Sequence, residues 1–138
     1  EVLKIVNLGL ASGKLEASDP FVADAKSISS GRIAADKASL AGLESDARAA
    51  NASAATAMAA GDAYLSYESF AKAEEMYKIA LTKPGVDSPR VLTRLGIAQT
   101  DQGKYAEAQE TFAKVTGLRA PIAQLWAAYA KSKATPTP

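Results

Sequence analysis

The stretch from Phe70 to Leu81 reads FAKAEEMYKIAL, and the stretch from Tyr105 to Thr116 reads YAEAQETFAKVT. Each places apolar residues at helical spacing and is expected to form one amphipathic helix. They align with Ala73 on Ala108, at an offset of 35 residues. Whether they are copies of one building block decides the fold, because a fixed period of this length indicates a helical repeat.

The offset of 35 residues also holds on both sides of these stretches. Residues of equal size or charge recur at equal places. The further matched pairs are Gly61 with Gly96, Ala63 with Ala98, Phe70 with Tyr105, Ala71 with Ala106, Glu75 with Glu110 and Tyr77 with Phe112. The spacing therefore predicts two copies of one helical unit.

Each copy is expected to contain two helices joined by a short turn. In the second copy Ser88 is expected to cap a first helix that has Pro89 at its first position. Residues 102–104 break the apolar stripe of that helix, and a second helix follows from Tyr105. Gly96 lies inside a helix, where it costs about 1 kcal/mol relative to Ala, and this favours a close approach of two backbones.

This pattern resembles the tetratricopeptide repeat, whose unit is about 34 residues long. The resemblance rests on small and aromatic residues at the family's characteristic positions. These are Gly61, Tyr64, Phe70, Ala73, Tyr77, Ala80 and Pro84 in one copy and Leu95, Gly96, Tyr105, Ala108 and Phe112 in the other. Gln99 stands where the family usually has Tyr, and Val115 where it has Ala. The resemblance implies an all-α fold, a short right-handed solenoid of antiparallel hairpins with about seven or eight helices in this chain.

A single domain is expected from the length of 138 residues. Within it we assign the two repeats to residues 54–87 and 88–121, a capping helix to 122–133 and a frayed tail to 134–138. The capping helix is matched to the second copy by aligning Leu92, Leu95 and Gly96 with Trp126, Tyr129 and Ala130. Pro121 is expected to open that helix in the manner of Pro89.

Residues 1–50 do not show the repeat, but their apolar spacing is helical. Three helices are expected there. The first runs from Val2 to about Gly13, the second begins at Asp19-Pro20 and is broken at Gly31, and the third ends near Ala50. We interpret them as divergent helices that cover the open end of the first repeat, since one hairpin cannot bury its apolar face alone.

Composition narrows the function classes. The chain has no Cys and no His, so we expect no enzyme, no metal site and no cofactor. Sixteen basic against fifteen acidic residues give a net charge of +1, which does not favour nucleic acid. No apolar run is long enough for membrane insertion. The adjacent Glu74 and Glu75 are interpreted as a solvated helix face.

We expect a soluble protein of the bacterial periplasm or cytoplasm, with the compartment left open. The chain begins at Glu1 without an initiator Met, which we interpret as processing or trimming of a longer product.

The resemblance also implies where a partner would bind. In tetratricopeptide arrays the first helices of successive repeats line a concave groove for a peptide or a helix. By the family's positions, that groove here comprises Met58, Asp62, Leu65, Arg90, Arg94, Ile97, Asp101 and Lys131, together with Ser66, Thr93, Gln124 and Ala127. The pair Arg90 and Arg94 lies one helical turn apart and could bind one carboxylate. The pair partly resembles the carboxylate clamp of the family. The alternative for each Arg taken singly is that it belongs to the ordinary solvated surface of the helix.

Two functions follow as expectations. The first is a protein interaction scaffold that binds a peptide or helix of a partner protein in the groove. The alternative is a structural repeat segment of a larger protein that self-associates, with a homodimer as its simplest form. A dimer that dissociates when Trp126 or Tyr129 is changed would favour the alternative.

Overall fold

The computed structural model describes residues 2–134, and over these residues the protein is all-α with no strand. Its seven α-helices are α1 (Val2–Ala11), α2 (Pro20–Arg48), α3 (Ala54–Ser66), α4 (Phe70–Leu81), α5 (Ser88–Asp101), α6 (Tyr105–Ala113) and α7 (Ala120–Ala134), and a 3-10 turn occupies Gly117–Arg119. The tail predicted to be frayed lies outside the described residues except for Ala134, which still belongs to α7. The all-α fold predicted from the sequence is confirmed.

The chain divides into two compact units, one up to Ala41 and one from Gly42 onward. In the first unit α1 buries Val6, and after it the backbone turns back so that the Leu15 side chain lies against Gly9. Asp19 caps the start of α2 by accepting a hydrogen bond from the Phe21 amide at 2.8 Å. The predicted helix start at Asp19-Pro20 is correct.

The predicted break at Gly31 is wrong, because α2 continues through it to Arg48 as one helix of 29 residues. Gly31 and Gly42 both lie in its interior with no neighbouring atom near the place of a Cβ. One Gly costs a helix only about 1 kcal/mol, and no Pro interrupts this segment. The surrounding Ala, Leu, Lys and Glu residues favour helix enough to carry α2 across both positions.

In the second unit α3 to α7 pack in sequence, each against the next, and α5 also contacts α3 and α7. The contact between the two helices of a hairpin is the same in both hairpins. A Cβ on Gly61 would lie less than 3.0 Å from the Tyr77 ring, and a Cβ on Gly96 equally close to the Phe112 ring. Glycine is needed at both positions because an aromatic ring lies directly on the helix backbone. The offset of 35 residues therefore pairs residues of the same type that also make the same contact.

The turns inside the two hairpins are also alike. The Ser69 amide donates to the Tyr64 carbonyl at 2.9 Å, and the Lys104 amide donates to the Gln99 carbonyl at the same distance. Each turn contains one residue with left-handed backbone, Glu68 with φ of 59° and Gly103 with φ of 77°. Only the second hairpin uses the residue that adopts this conformation without steric cost.

We therefore expect Glu68→Gly to stabilise the protein by about 1 kcal/mol, since it removes the steric cost of a left-handed non-glycine residue. Urea unfolding followed by circular dichroism measures the change. The matched control is Gly103→Ala, which introduces the same cost where no atom lies near the added Cβ. It should lower stability by a similar amount, and equal stability of both variants with the parent would contradict the assignment.

Capping residues mark where the first helices of the hairpins begin. Ser53 caps α3 by accepting from the Thr56 amide at 3.1 Å. At α5 the cap is Asp87, which accepts from the Arg90 amide at 3.2 Å, so the prediction that Ser88 caps this helix is wrong by one residue. Asp is at least as good a cap as Ser, and Ser88 becomes the first residue of the helix instead.

The third of these first helices, α7, begins earlier than the sequence alignment predicted. Because α6 has only 9 residues where α4 has 12, α7 already starts at Ala120. The alignment that fits the structure pairs Pro89 with Pro121 and the fully buried Ala98 with Ala130. The predicted alignment of Trp126 with Leu92 is therefore replaced by an alignment of Trp126 with Arg94.

Candidate functional site

The candidate site lies on the first helices of the hairpins, α3, α5 and α7, of which α5 contacts the other two. On this side Arg94 Nε of α5 lies 3.6 Å from Asp62 Oδ1 of α3. The same Asp62 oxygen accepts a hydrogen bond from the Tyr77 hydroxyl at 2.7 Å. Burial, then the bond to Asp62, raises the pKa of Tyr77, so the phenol stays protonated and keeps donating. Asp62 is thereby held in place by both neighbouring helices.

The predicted groove residues of α3 and α5 lie on this side except for Thr93, whereas those predicted on α7 do not line the cavity described below. Arg90, Arg94 and Asp101 are exposed along α5, and Met58, Leu65 and Ile97 are half-buried. Thr93 is buried instead, and its hydroxyl donates to the Pro89 carbonyl at 2.7 Å. Because Thr93 is buried and its hydroxyl is bonded within its own helix, it leaves the candidate site.

A cavity of about 280 Å³ opens between the C-terminal end of α5 and one face of α7. Its lining residues are Asp101, Ile122, Leu125, Trp126 and Tyr129. Leu125 is 68% exposed and Tyr129 47% exposed, although both are large and apolar in body. The Trp126 ring is held in place, because it stacks on Phe112 at 6.4 Å and meets the Tyr129 ring edge-on at 5.7 Å.

The sequence predicted Gln124, Ala127 and Lys131 at the groove in place of these α7 side chains, of which Trp126 and Tyr129 were predicted only as possible dimer contacts. Once Pro121 is aligned with Pro89, the places that Arg90, Arg94 and Ile97 have on α5 are taken on α7 by Ile122, Trp126 and Tyr129. Lys131 is exposed in the last turn of α7 but does not line the cavity. Pro89 and Pro121 both open their helices, so the distance between the two prolines gives the correct alignment of α7 with α5. That distance is the sequence signal that identifies these α7 side chains.

Asp101 is the acidic group of the cavity. Burial first, and then the negative charge of Glu68, raise the pKa of Asp101 above its ordinary value. The carboxylate of Asp101 is thus in an environment that disfavours its charge. A cation brought to this end of α5 would relieve that cost.

The interpretation of Glu74 as solvated is wrong, because its side chain is buried with only 4% exposed. It accepts hydrogen bonds from Lys78 at 2.6 Å, Lys104 at 2.8 Å and Gln102 at 2.8 Å. Burial acts to raise the pKa of Glu74, but the bonds from Lys104, Lys78 and Gln102 outweigh it and hold the pKa at about 2. Glu74 therefore joins α4 to the turn between α5 and α6, and its role is structural.

A second charged network surrounds Glu44 near the C-terminal end of α2. Glu44 accepts from Lys72 at 2.8 Å, from the Tyr64 hydroxyl at 2.7 Å and from Arg48. Bonds from Lys72, Tyr64 and Arg48 lower the pKa of Glu44 to about 2. Arg48 also reaches Glu75 at 2.6 Å, so this network ties the end of α2 to α3 and α4.

Residues 2–134 contain neither a metal-binding cluster nor a membrane-spanning helix. No group of three or more Asp, Glu, His or Cys side chains is placed to hold a metal ion. Within the same range, none of the helices combines the length and the hydropathy that crossing a membrane requires.

Comparison of the chain with known protein families, with curated proteins and with solved structures gives no match.

Proposed function

We propose that this protein is a helical-repeat interaction module that binds a segment of a partner protein on the side formed by α3, α5 and α7. The observation that carries the proposal is the repeated Gly-on-ring contact, Gly61 with Tyr77 and Gly96 with Phe112. It makes each hairpin a copy of the other, as in the tetratricopeptide repeats that the sequence resembles. The step from repeat to binding is an analogy of fold.

The contacts between the helices indicate that the side formed by α3, α5 and α7 is the concave side of the stack. First helices meet one another through α5, whereas no comparable contact joins α4 to α6 in the part of the chain that the structure describes. A stack whose first helices are closer than its second helices curves toward the first helices, and such curvature creates the extended binding surface of repeat proteins. We infer a short solenoid of the tetratricopeptide type for the second unit.

The side chains on this face suit a peptide better than a small molecule. Arg90 and Arg94 are exposed one helical turn apart, and both can donate to carboxylates of a partner. The cavity that opens here is about 280 Å³, below the usual range of ligand pockets, and it suits a single large side chain.

We expect the double charge reversal Arg90→Glu and Arg94→Glu to weaken capture of partner proteins from a lysate of the source organism at least tenfold. The expected reason is loss of the two cations that attract acidic groups. Quantitative mass spectrometry after affinity capture measures the loss.

The matched control is Lys114→Glu with Arg119→Glu, which makes the same change of charge at exposed positions outside this face. Thermal unfolding should be nearly the same for both double variants, since Arg94 and Asp62 form only an exposed ion pair. Equal capture by the two double variants would contradict the assignment of the face.

The alternative function is self-association, and the exposed Leu125 and Tyr129 are the observation that favours it. Under this alternative the apolar face of α7 packs on a second copy of the chain, and no peptide ligand is needed.

A further inference from the structure

The exposed side of α5 carries an ordered set of charges. Arg90 and Arg94 come first, the half-buried Ile97 follows, and Asp101 stands at the end of the helix. These four residues are spaced by four, three and four positions, so they lie on one face. With a rise of about 1.5 Å per residue, Arg94 and Asp101 are roughly 10 Å apart along the helix.

The apolar cavity lies at the acidic end of this face. Asp101 is part of its lining, and the other lining residues belong to α7. The Trp126 and Tyr129 rings contact each other edge-on, so the wall is already formed before a ligand arrives. A preformed aromatic wall lowers the ordering cost of binding an apolar side chain.

The charges around the cavity determine which charged residues of the ligand should flank that apolar side chain. The Asp101 carboxylate lines the cavity and is partly desolvated there, which favours a cation at the mouth of the cavity. At the other end of the α5 face, Arg90 and Arg94 favour an anion. The face therefore has a direction, positive near the start of α5 and negative near the cavity.

We propose that this face binds a segment of another protein in which a large aliphatic or aromatic side chain lies between an acidic and a basic residue. The apolar side chain fills the α7 cavity, the basic residue pairs with Asp101, and the acidic residue pairs with Arg90 and Arg94. This inference rests on the proposed function and names its ligand.

The distance between the charged ends limits the ligand further. A separation of roughly 10 Å is covered by about three residues of extended chain or about seven residues of helix. Because only alternate side chains of a strand share a face, the acidic and basic residues of the ligand are about four positions apart when it binds as a strand, with the apolar residue midway. They are about seven positions apart when it binds as a helix.

The test is selection of peptides from a random twelve-residue phage library on the full chain. We expect enriched peptides with the order acidic, large apolar, basic at one of the two spacings. The same selection on the variant Arg94→Glu with Asp101→Lys should enrich the opposite charge order. Peptides without a large apolar residue, or with the same charge order on both proteins, would overturn the proposal, as would a selection that enriches nothing.

Binding of the selected peptides is then measured by the fluorescence of Trp126, since the chain has one Trp. A peptide that fills the cavity should shift the emission to the blue, and the same peptide with Ala at its apolar position should not. Leu125→Ser with Tyr129→Ser should weaken binding at least tenfold and keep the fold, because both side chains are exposed.

The outcomes separate this inference from the function on which it rests. Peptides that bind the Leu125 and Tyr129 double variant normally, yet are lost on charge reversal of Arg90 and Arg94, contradict the cavity but keep the face. Peptides that are insensitive to both double variants contradict both. A blue shift that grows with protein concentration alone, accompanied by a dimer in sedimentation equilibrium, contradicts the peptide ligand and assigns the cavity to a second copy.

Discussion

Phe112→Ala is expected to destabilise the second unit by about 3–5 kcal/mol, the usual range for removing a buried aromatic side chain. The Phe112 ring lies on the backbone of Gly96, stacks on Trp126 and belongs to the core between α6 and α7. Its removal leaves a cavity among three helices. The helix α5 cannot move in to close it, because it is also packed against α3 and α4.

Gly96→Val is expected to destabilise by about 2 kcal/mol through the opposite effect, since the added carbons would overlap the Phe112 ring. When Phe112→Ala is combined with it, the smaller alanine side chain leaves room for the valine. The two changes should therefore cost less together than the sum of the single costs, by about 1 kcal/mol or more.

Urea unfolding followed by both circular dichroism and Trp126 fluorescence measures these differences, and the fluorescence reports the second unit alone. Leu118→Ala is the matched control, because Leu118 lies in the same unit and is fully exposed. Its truncation should change stability by no more than about 0.5 kcal/mol, as for an ordinary surface substitution. Strictly additive costs at Gly96 and Phe112 would mean that the repeated ring contact does not order the hairpin.

These contacts also explain which parts of the fold could be predicted from the sequence. The pairs Gly61 with Gly96 and Tyr77 with Phe112 are visible in the sequence because one packing requirement recurs at one spacing. Periodicity could not predict α2 as one helix, since whether Gly31 breaks a helix depends on a balance of about 1 kcal/mol. The length of α6 likewise determined where α7 begins. No residue at the end of α6 marks in the sequence that this helix stops after 9 residues.

The candidate site was predicted on α5 and missed on α7 for that reason. A shift of two residues rotates a helix position by about 200°, so aligning Trp126 with Leu92 instead of Arg94 exchanges one face of α7 for the other. The charged residues were harder still. Glu74 and Glu75 are neighbours in α4 and look alike in the sequence, yet only Glu74 is buried, by Lys104 and Gln102, which are remote in sequence.

Glu74→Gln is expected to destabilise the protein by about 2–3 kcal/mol at pH 7, because hydrogen bonds from two Lys side chains to a buried carboxylate are replaced by bonds to a neutral amide. The effect should exceed that of an ordinary surface charge, since Glu74 joins two successive hairpins. Glu110→Gln is the matched control, at an exposed position of α6. It should change stability by no more than about 0.5 kcal/mol.

The pH dependence gives the sharper test of the buried carboxylate. The folded pKa of Glu74 is about 2, below its ordinary value of 4.5, so the unfolded state binds more protons between these values. The stability from Glu74 is therefore fully present above about pH 4.5 and is lost as the pH falls toward 2. Glu44 has the same direction and range of pKa, so it contributes acid sensitivity in the same window.

The free energy of unfolding of the parent should thus fall steeply from about pH 5 to about pH 2, and the curve of Glu74→Gln should be flatter. The two curves should converge at the acid end, where the parent's Glu74 is itself becoming protonated. A difference between parent and Glu74→Gln that stays constant across this acid range would show that the cost comes from packing of the amide. In that case the hydrogen bonds from Lys78 and Lys104 would not be what holds the two hairpins together.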